Sequence, residues 1–171
     1  MSNAALSEYP GGGRRITNAS VLVLLTFIMT TLGVGLLGAS IAEMNGIDWY
    51  ASVAKPSYTP PNWLSGFVWI MLDVCIGISA WRVWRLKGLR SRFIGYWGLQ
   101  LILNFAWSVI FFGLHSIAGA LIEIAILLLL ILRTIVAFSA VDRFAGLLLV
   151  PYFCWTAFAA VLNAAIWELK I

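Results

Sequence analysis

The chain has 171 residues, of which 62% are hydrophobic and only 11% are charged, and its mean hydropathy is +0.96. A soluble domain of this length is about half apolar and about a quarter charged, so the composition excludes an ordinary soluble globular protein. The apolar residues also occur in runs long enough to cross about 30 Å of hydrocarbon as helix. The composition therefore predicts an integral membrane protein.

The net charge and the cysteines exclude further classes of protein. The net charge of +4 is small and reports membrane orientation rather than nucleic-acid binding, so no nucleic-acid partner is expected. Both cysteines, Cys75 and Cys154, fall inside apolar segments and form no CxxC pair. Neither a disulfide framework nor a zinc site is therefore predicted.

Residues 1–17 are predicted to form a disordered tail ahead of the membrane domain. Met1–Arg15 is polar and has no apolar core of its own. Its last two arginines, followed by an apolar run, superficially resemble a secretory signal. However, the run from about 19 to 42 is too long for the apolar region of a signal peptide.

Five apolar segments follow, and each is long enough to cross the bilayer as an α-helix. The connections after the second segment are short, so consecutive helices should be antiparallel neighbours. No internal repeat is visible in the sequence, which counts against the repeat-built secondary transporters. We predict an all-α fold in which residues 18–171 form a single five-helix transmembrane bundle, with spans at 18–42, 65–85, 93–114, 117–139 and 144–167.

Most of the eleven basic residues lie at one end of this predicted bundle. That end holds the N-terminus and the connections between spans two and three and between spans four and five. Basic residues concentrate on the cytoplasmic side of bacterial inner membranes, so this end should be cytoplasmic. The connection between spans one and two and the C-terminus should then face the periplasm, with an outer-membrane location left open.

The connection over residues 43–64 is predicted to be a structured lid. It contains Pro56, Pro60 and Pro61 together with several aromatic residues. Proline fixes φ, lacks a backbone donor and biases the preceding residue towards extended geometry. A flexible connector would instead be rich in glycine and serine. We therefore expect a semi-rigid, aromatic-rich loop rather than a helix, held over a site between the spans.

One face of span three carries polar and aromatic side chains. Gln100, Asn104, Trp107 and Phe111 fall within a narrow arc at helical spacing. Amides in hydrocarbon need hydrogen-bond partners, so this face should point into the bundle. Two interpretations stay open: hydrogen bonds between helices without a ligand, or a pocket in which the indole of Trp107 contacts a flat aromatic ligand.

Spans two and five contain further candidates. Trp69 and Asp73 share a face of span two, and an ionisable residue in a membrane segment is a functional candidate. Water or a basic partner near the loop would be the structural alternative for Asp73. In span five, Pro151 should kink the helix and open space beside Trp155, with Asn163 two turns further on.

Other residues favour structural roles. Glu123 is expected near the outer end of span four, facing the bundle or the interface, as a structural residue. The lone His115 cannot form a metal site by itself, and no metal is expected. Tryptophans near the span ends are interpreted as anchors at the membrane interface: Trp81, Trp84, Trp97 and Trp167.

Three motifs resemble one family. They are W-Y-A-S-V-A-K-P-S-Y-T-P-P from Trp49, L-N-F-A-W-S-V-I-F-F-G from Leu103, and P-Y-F-C-W-T-A-F-A-A-V-L-N from Pro151. They resemble the TspO/MBR family of tryptophan-rich sensory proteins, which includes the translocator protein or peripheral benzodiazepine receptor. The resemblance implies a five-helix membrane bundle, often a homodimer, that binds porphyrins and needs no cofactor. By motif, the implied ligand-binding residues are Tyr50, Trp69, Asn104, Trp107 and Trp155, with Pro60 and Pro61 shaping the lid.

The chain departs from the family pattern in three places. Tyr58 stands where many relatives have tryptophan. The tyrosine of the C-terminal cholesterol-recognition pattern is missing from Val161–Glu168, so cholesterol recognition by that route is doubtful. Asp73 is an acid where relatives have apolar or aromatic residues.

Three functions follow from the resemblance. The first is a membrane receptor or sensor for porphyrins such as protoporphyrin IX and haem-type tetrapyrroles, in which Lys55 or a nearby basic group could meet a propionate. The alternative is light-dependent porphyrin degradation at the same pocket, with Trp69 and Trp155 as redox partners and no firmly assigned catalytic residue. A further alternative is transport of porphyrin or lipid.

Overall fold

The computed structural model describes residues 18–170, so the tail predicted over residues 1–17 lies outside the described residues. Five helical stretches of the described chain are long and apolar enough to cross a membrane. They confirm the predicted all-α bundle of five transmembrane helices. The α-helices are α1 Asn18–Ile41, α2 Ile47–Ser52, α3 Asn62–Lys87, α4 Arg92–Ser108, α5 Ile117–Ser139, α6 Arg143–Leu147 and α7 Val150–Lys170, and π-helical turns extend α1 over Ala42–Gly46 and α4 over Val109–Gly113.

The helix ends follow from local chemistry. Pro61 precedes α3, and its carbonyl accepts hydrogen bonds from the N–H groups of Leu64 and Ser65, at 3.0 and 3.2 Å. The helix thus begins at Asn62, three residues before the predicted start. It ends before Gly88, whose φ of +77° is a conformation that glycine adopts without steric cost. The Gly88 N–H donates to the Trp84 carbonyl at 2.8 Å.

The fifth span is interrupted close to its proline. The short helix α6 ends at Leu147, and α7 begins at Val150. Pro151 is the second residue of α7, in the first turn, where a missing N–H costs no intrahelical hydrogen bond. The expected kink is therefore a break between two helices just before the proline.

Small residues bring α1 close to α3 and α4. A Cβ atom on Gly77 would lie 2.8 Å from the Cα of Ile28, so the two backbones are nearly in contact. Gly35 similarly faces the Asp73 carboxylate, and Gly38 faces Ser108. Close approach inside the bundle therefore explains the inward-facing glycines of α1.

The core lies along the axis of the bundle between α3, α4, α5 and α7. Tyr152 is its largest fully buried side chain. The interface-anchor interpretation is wrong for Trp81, which is buried and donates its indole N–H to the Ser20 carbonyl at 2.9 Å. The main cluster consists of Leu72, Ile76, Val83, Leu101, Leu127, Ile131, Phe138, Ala145, Leu149 and Tyr152.

Candidate functional site

The polar face of α4 points into the bundle, as its amide residues require. Gln100 is 1% exposed and Phe111 is buried, while Asn104 and Trp107 between them are half-buried. Asn104 Nδ2 donates to the hydroxyl oxygen of Tyr152 on α7 at 3.2 Å. For Asn104, the structure thus contains the hydrogen bond between helices that its polarity suggested.

Tyr152 connects three of the helices that line this region. Its ring lies edge-on to the ring of Trp69 on α3, with centroids 6.2 Å apart, and its hydroxyl bonds to Asn104 on α4. Sequence reasoning did not select Tyr152 as a site residue. A usable signal was present, because Tyr152 lies three residues before Trp155 and therefore on the same face of the helix.

Trp155 lies one turn beyond Tyr152 on α7. It packs against the same core cluster as Trp69, and its ring centroid is 5.6 Å from that of Phe158. Indoles from α3 and α7 therefore contact a common core around Tyr152. We call Trp69, Asn104, Tyr152 and Trp155 the indole site, together with Trp107, which lies one turn from Asn104 on the same face of α4.

A second group of rings lies at the loop end of α4. The ring of Trp107 stacks on that of Phe111, with centroids 4.9 Å apart and an angle of 12° between planes, and lies edge-on to Phe112. Tyr50 of α2 lies edge-on to both phenylalanines, at 6.0 and 5.9 Å. Phe111 and Phe112 therefore connect the predicted site residues Tyr50 and Trp107.

Part of the predicted loop is helical. Residues 43–64 were expected to avoid helix, yet Ile47–Ser52 forms α2 and carries both Trp49 and Tyr50. The expectation was wrong for this part because the prolines begin only at Pro56, so nothing in α2 prevents helical hydrogen bonding. Packing of its aromatic residues on Phe111 then stabilises the short helix.

Lys55 stabilises the end of α2. Its ammonium group donates to the carbonyls of Tyr50 and, at 3.0 Å, Val53, and it lies 4.5 Å from the centre of the Tyr50 ring. Lysine commonly satisfies the last carbonyls of a helix in this way. The Lys55 ammonium group thus hydrogen-bonds within its own loop and is not free to pair with a propionate.

Burial raises the pKa of the Tyr50 hydroxyl above its ordinary value.

The prolines determine the path of the chain between α2 and α3. Thr59 donates both its N–H and its hydroxyl to the Pro56 carbonyl, at 3.1 and 2.7 Å, which forms a tight turn. Pro60 is half-buried, whereas Pro61 is exposed and directly precedes α3. Both are therefore placed to set the path of the loop.

His115, in the turn between α4 and α5, contacts the loop at Asn45 and Trp49. Its ring stacks on Trp49 with centroids 4.5 Å apart and 16° between planes, and its Nε2 lies 2.8 Å from the Asn45 carbonyl. The residue adopts a φ of +52°, which is uncommon without glycine. In residues 18–170, no group of three histidine, cysteine or acidic side chains is arranged to hold a metal ion.

Two carboxyl groups are buried in the bundle. Asp73 on α3 and Glu123 on α5 are each 7% exposed. Both oxygens of the Glu123 carboxyl group are buried without a hydrogen-bond partner among the described residues, and Arg133 on the same helix is exposed. The indoles, Asn104 and Tyr152 form a polar and aromatic region inside an otherwise apolar bundle, which suits a flat, largely apolar ligand.

The chain is similar to known proteins of one family. The model of the TspO/MBR family matches residues 26–168. Among similar proteins are protein CrtK of Rhodobacter capsulatus, 39% identical over 78% of this chain and 85% of the relative, and the tryptophan-rich protein TspO of Chlorobaculum tepidum, 35% identical over 90% and 99%.

The similarity extends to animal proteins. The human translocator protein is 36% identical over 77% of this chain and 80% of its own length. The matched residues include the second, third and fourth spans, most of the first and fifth, and the three motifs quoted above. The chain is an integral, multi-pass membrane protein and belongs to the TspO/MBR family.

Proposed function

We propose that this membrane protein is a receptor or sensor that binds porphyrins, such as protoporphyrin IX and haem-type tetrapyrroles, in the indole site beneath the loop. One observation supports the proposal: Trp69 of α3 and Trp155 of α7 pack against one core cluster with Tyr152, and the Tyr152 hydroxyl bonds to Asn104, one turn from Trp107 on α4. A flat macrocycle gains affinity by stacking on such rings. The names of similar proteins, among them tryptophan-rich sensory protein, are consistent with this function.

Binding is tested by titrating protoporphyrin IX into purified protein in detergent and following its absorption band together with tryptophan quenching. Replacing Trp69 with leucine should weaken binding about fivefold, because one aromatic contact contributes about 1 kcal/mol. Trp63→Leu is a matched control, since Trp63 lies on the same helix but is 73% exposed. Unchanged affinity in Trp69→Leu and Trp107→Leu would contradict the proposal.

Light-dependent degradation of porphyrin is the alternative activity at the same site. The contact between the rings of Trp69 and Tyr152 supports this alternative, because it places two oxidisable side chains together. Illuminating the mixture of protein and protoporphyrin IX distinguishes binding from degradation. Loss of the porphyrin band with a new product, abolished in Trp155→Phe, would indicate degradation, whereas saturable quenching with an unchanged spectrum indicates binding alone.

We also infer a bacterial inner-membrane location with a cytoplasmic N-terminus and a periplasmic loop, and a homodimeric assembly as the family resemblance implies. The orientation is supported by exposed basic residues at one end of the bundle. The positive-inside rule places such an end in the cytoplasm. These residues are Lys87, Arg90, Arg92, Arg133 and Arg143.

A further inference from the structure

Three exposed basic side chains lie at the connection between α3 and α4. Lys87 is the last residue of α3, Arg92 is the first residue of α4, and Arg90 lies between them. The chain reverses direction within this short connection, where the Ser91 hydroxyl donates to the Gly88 carbonyl at 3.0 Å. The three basic residues therefore lie close together at one end of the bundle.

Exposed leucines alternate with these basic residues. Leu86 is 51% exposed and Leu89 is 64% exposed. Exposed apolar side chains gain free energy when they leave water for acyl chains. Basic side chains next to apolar ones are typical of the boundary between lipid head groups and acyl chains, because their cationic ends reach the head groups. We call this surface the basic edge; it consists of Leu86, Lys87, Leu89, Arg90 and Arg92.

The positive charge of the basic edge is not balanced by acidic side chains. No carboxylate oxygen of the described residues lies within salt-bridge distance of its three cationic groups. Asp142, the acid that the described chain places at this end of the bundle, pairs with Arg82 at 2.7 Å. The exposed acids Glu43 and Asp48 lie at the opposite end, in the connection between spans one and two. An anionic partner would therefore meet three cationic groups without displacing an ion pair from them.

We propose that the basic edge binds the head group of an anionic phospholipid, with the phosphate held by its cationic groups and the acyl chains beside its leucines. Arginine suits phosphate because its planar fork donates two parallel hydrogen bonds. The Arg92 guanidinium lies 5.4 Å from the centre of the Phe93 ring, a contact that leaves its in-plane N–H groups available. Each basic residue near an anionic lipid surface raises affinity about fivefold.

The test compares dioleoylphosphatidylglycerol, which is anionic, with dioleoylphosphatidylcholine, which has the same acyl chains and no net charge. The protein is purified in a neutral detergent, and native mass spectrometry measures the apparent affinity for the first bound lipid. Wild-type protein should bind phosphatidylglycerol at least about tenfold more tightly than phosphatidylcholine. In the triple variant Lys87→Gln, Arg90→Gln, Arg92→Gln, the difference should narrow to within about threefold.

Controls keep a folding defect and a general effect of charge apart from the site. Retained binding of phosphatidylcholine shows that the triple variant is folded, and if it is lost Arg90→Gln alone takes its place and should lower the preference about fivefold. Lys170→Gln removes a positive charge from the last residue of α7, at the opposite end of the bundle, and should leave the preference unchanged. Raising the ionic strength should weaken the preference of the wild type, because salt screens exposed charges.

Three results would overturn the inference: equal affinity of wild-type protein for the two lipids, an undiminished preference in the glutamine variants, or loss of the preference in Lys170→Gln. Inorganic phosphate should not displace bound phosphatidylglycerol, because it has no acyl chains to contact Leu86 and Leu89. Displacement would indicate a site for a free anion and would overturn the assignment to a lipid. None of these measurements uses a porphyrin, so the inference and the proposed function can fail independently.

Discussion

At the scale of single residues, the contact between Gly77 and Ile28 limits how α1 and α3 can pack. We expect Gly77→Ala to destabilise the bundle by about 1–3 kcal/mol, because a Cβ atom would lie 2.8 Å from backbone. Backbone cannot move aside as the end of a flexible side chain can. A lower midpoint of thermal unfolding in detergent, followed by circular dichroism, would show this effect.

A matched control lies on the same helix. Gly66 has no atom within 4 Å of where its Cβ would be, so Gly66→Ala should leave stability unchanged or raise it slightly. The prediction for Gly77 is contradicted if both alanine variants unfold at the same temperature as the wild type.

At the scale of elements, α6 depends on Asp142. The Asp142 side chain accepts hydrogen bonds from the N–H groups of Phe144 and Ala145, at 2.9 and 3.3 Å, which caps the helix. Arg82 of α3 donates to the other carboxylate oxygen at 2.7 Å. One residue therefore begins α6 and attaches it to α3.

The ionisation of Asp142 makes the stability of this part of the fold depend on pH. Partial burial alone would raise its pKa, but the hydrogen bonds from Arg82 and the backbone and the charge of Arg82 lower the pKa overall. A carboxyl group whose folded-state pKa is lowered stabilises the fold above its unfolded value, about 3.9. That contribution is lost as the pH falls through the folded-state pKa.

We therefore expect Asp142→Asn to cost up to about 1 kcal/mol at pH 7, because asparagine can still cap α6 but cannot pair with the charge of Arg82. The difference from the wild type should narrow as the pH is lowered below about 5. Unfolding midpoints measured from pH 7 to pH 3 test this.

Arg82→Gln is a second test of this ion pair, because it removes the positive partner instead of the negative one. It should show the same narrowing at low pH. A difference between wild type and Asp142→Asn that grows on acidification would contradict the assigned role.

At the scale of the whole molecule, the distribution of basic residues predicts the orientation of the bundle. In a background with Cys75 and Cys154 replaced by alanine, Tyr58→Cys places a thiol in the exposed loop before α3. A membrane-impermeant maleimide should label this variant in intact spheroplasts, because the proposed orientation places the loop in the periplasm.

Leu89→Cys tests the opposite end, in the exposed connection between α3 and α4. It should be labelled only after the membrane is permeabilised. The reverse labelling pattern would place the loop in the cytoplasm and contradict the predicted orientation.

Much of the fold was predictable from sequence. The five spans and the inward face of α4 follow from hydrophobic runs and helical spacing, both of which are local properties. The helical state of α2 was not predictable in this way. It depends on Tyr50 meeting Phe111 and Phe112, which lie about sixty residues away in the chain.

The candidate site was predictable only in part. Trp69, Asn104 and Trp155 were identified through motifs, whereas the central position of Tyr152 and the hydrogen-bonding role of Lys55 were not. No spacing rule states which carbonyl a lysine will reach, or which helix a tyrosine hydroxyl will meet. Those contacts depend on the rotation of each helix about its axis.

The sequence by itself determined that this protein crosses the membrane five times, since a bilayer leaves backbone groups no partner but their own helix. It also determined the family. Only the tertiary structure decided that Tyr152 meets Trp69 and Asn104. These residues are far apart in the chain, and the packing of α3 and α4 around α7 is what brings them to one site.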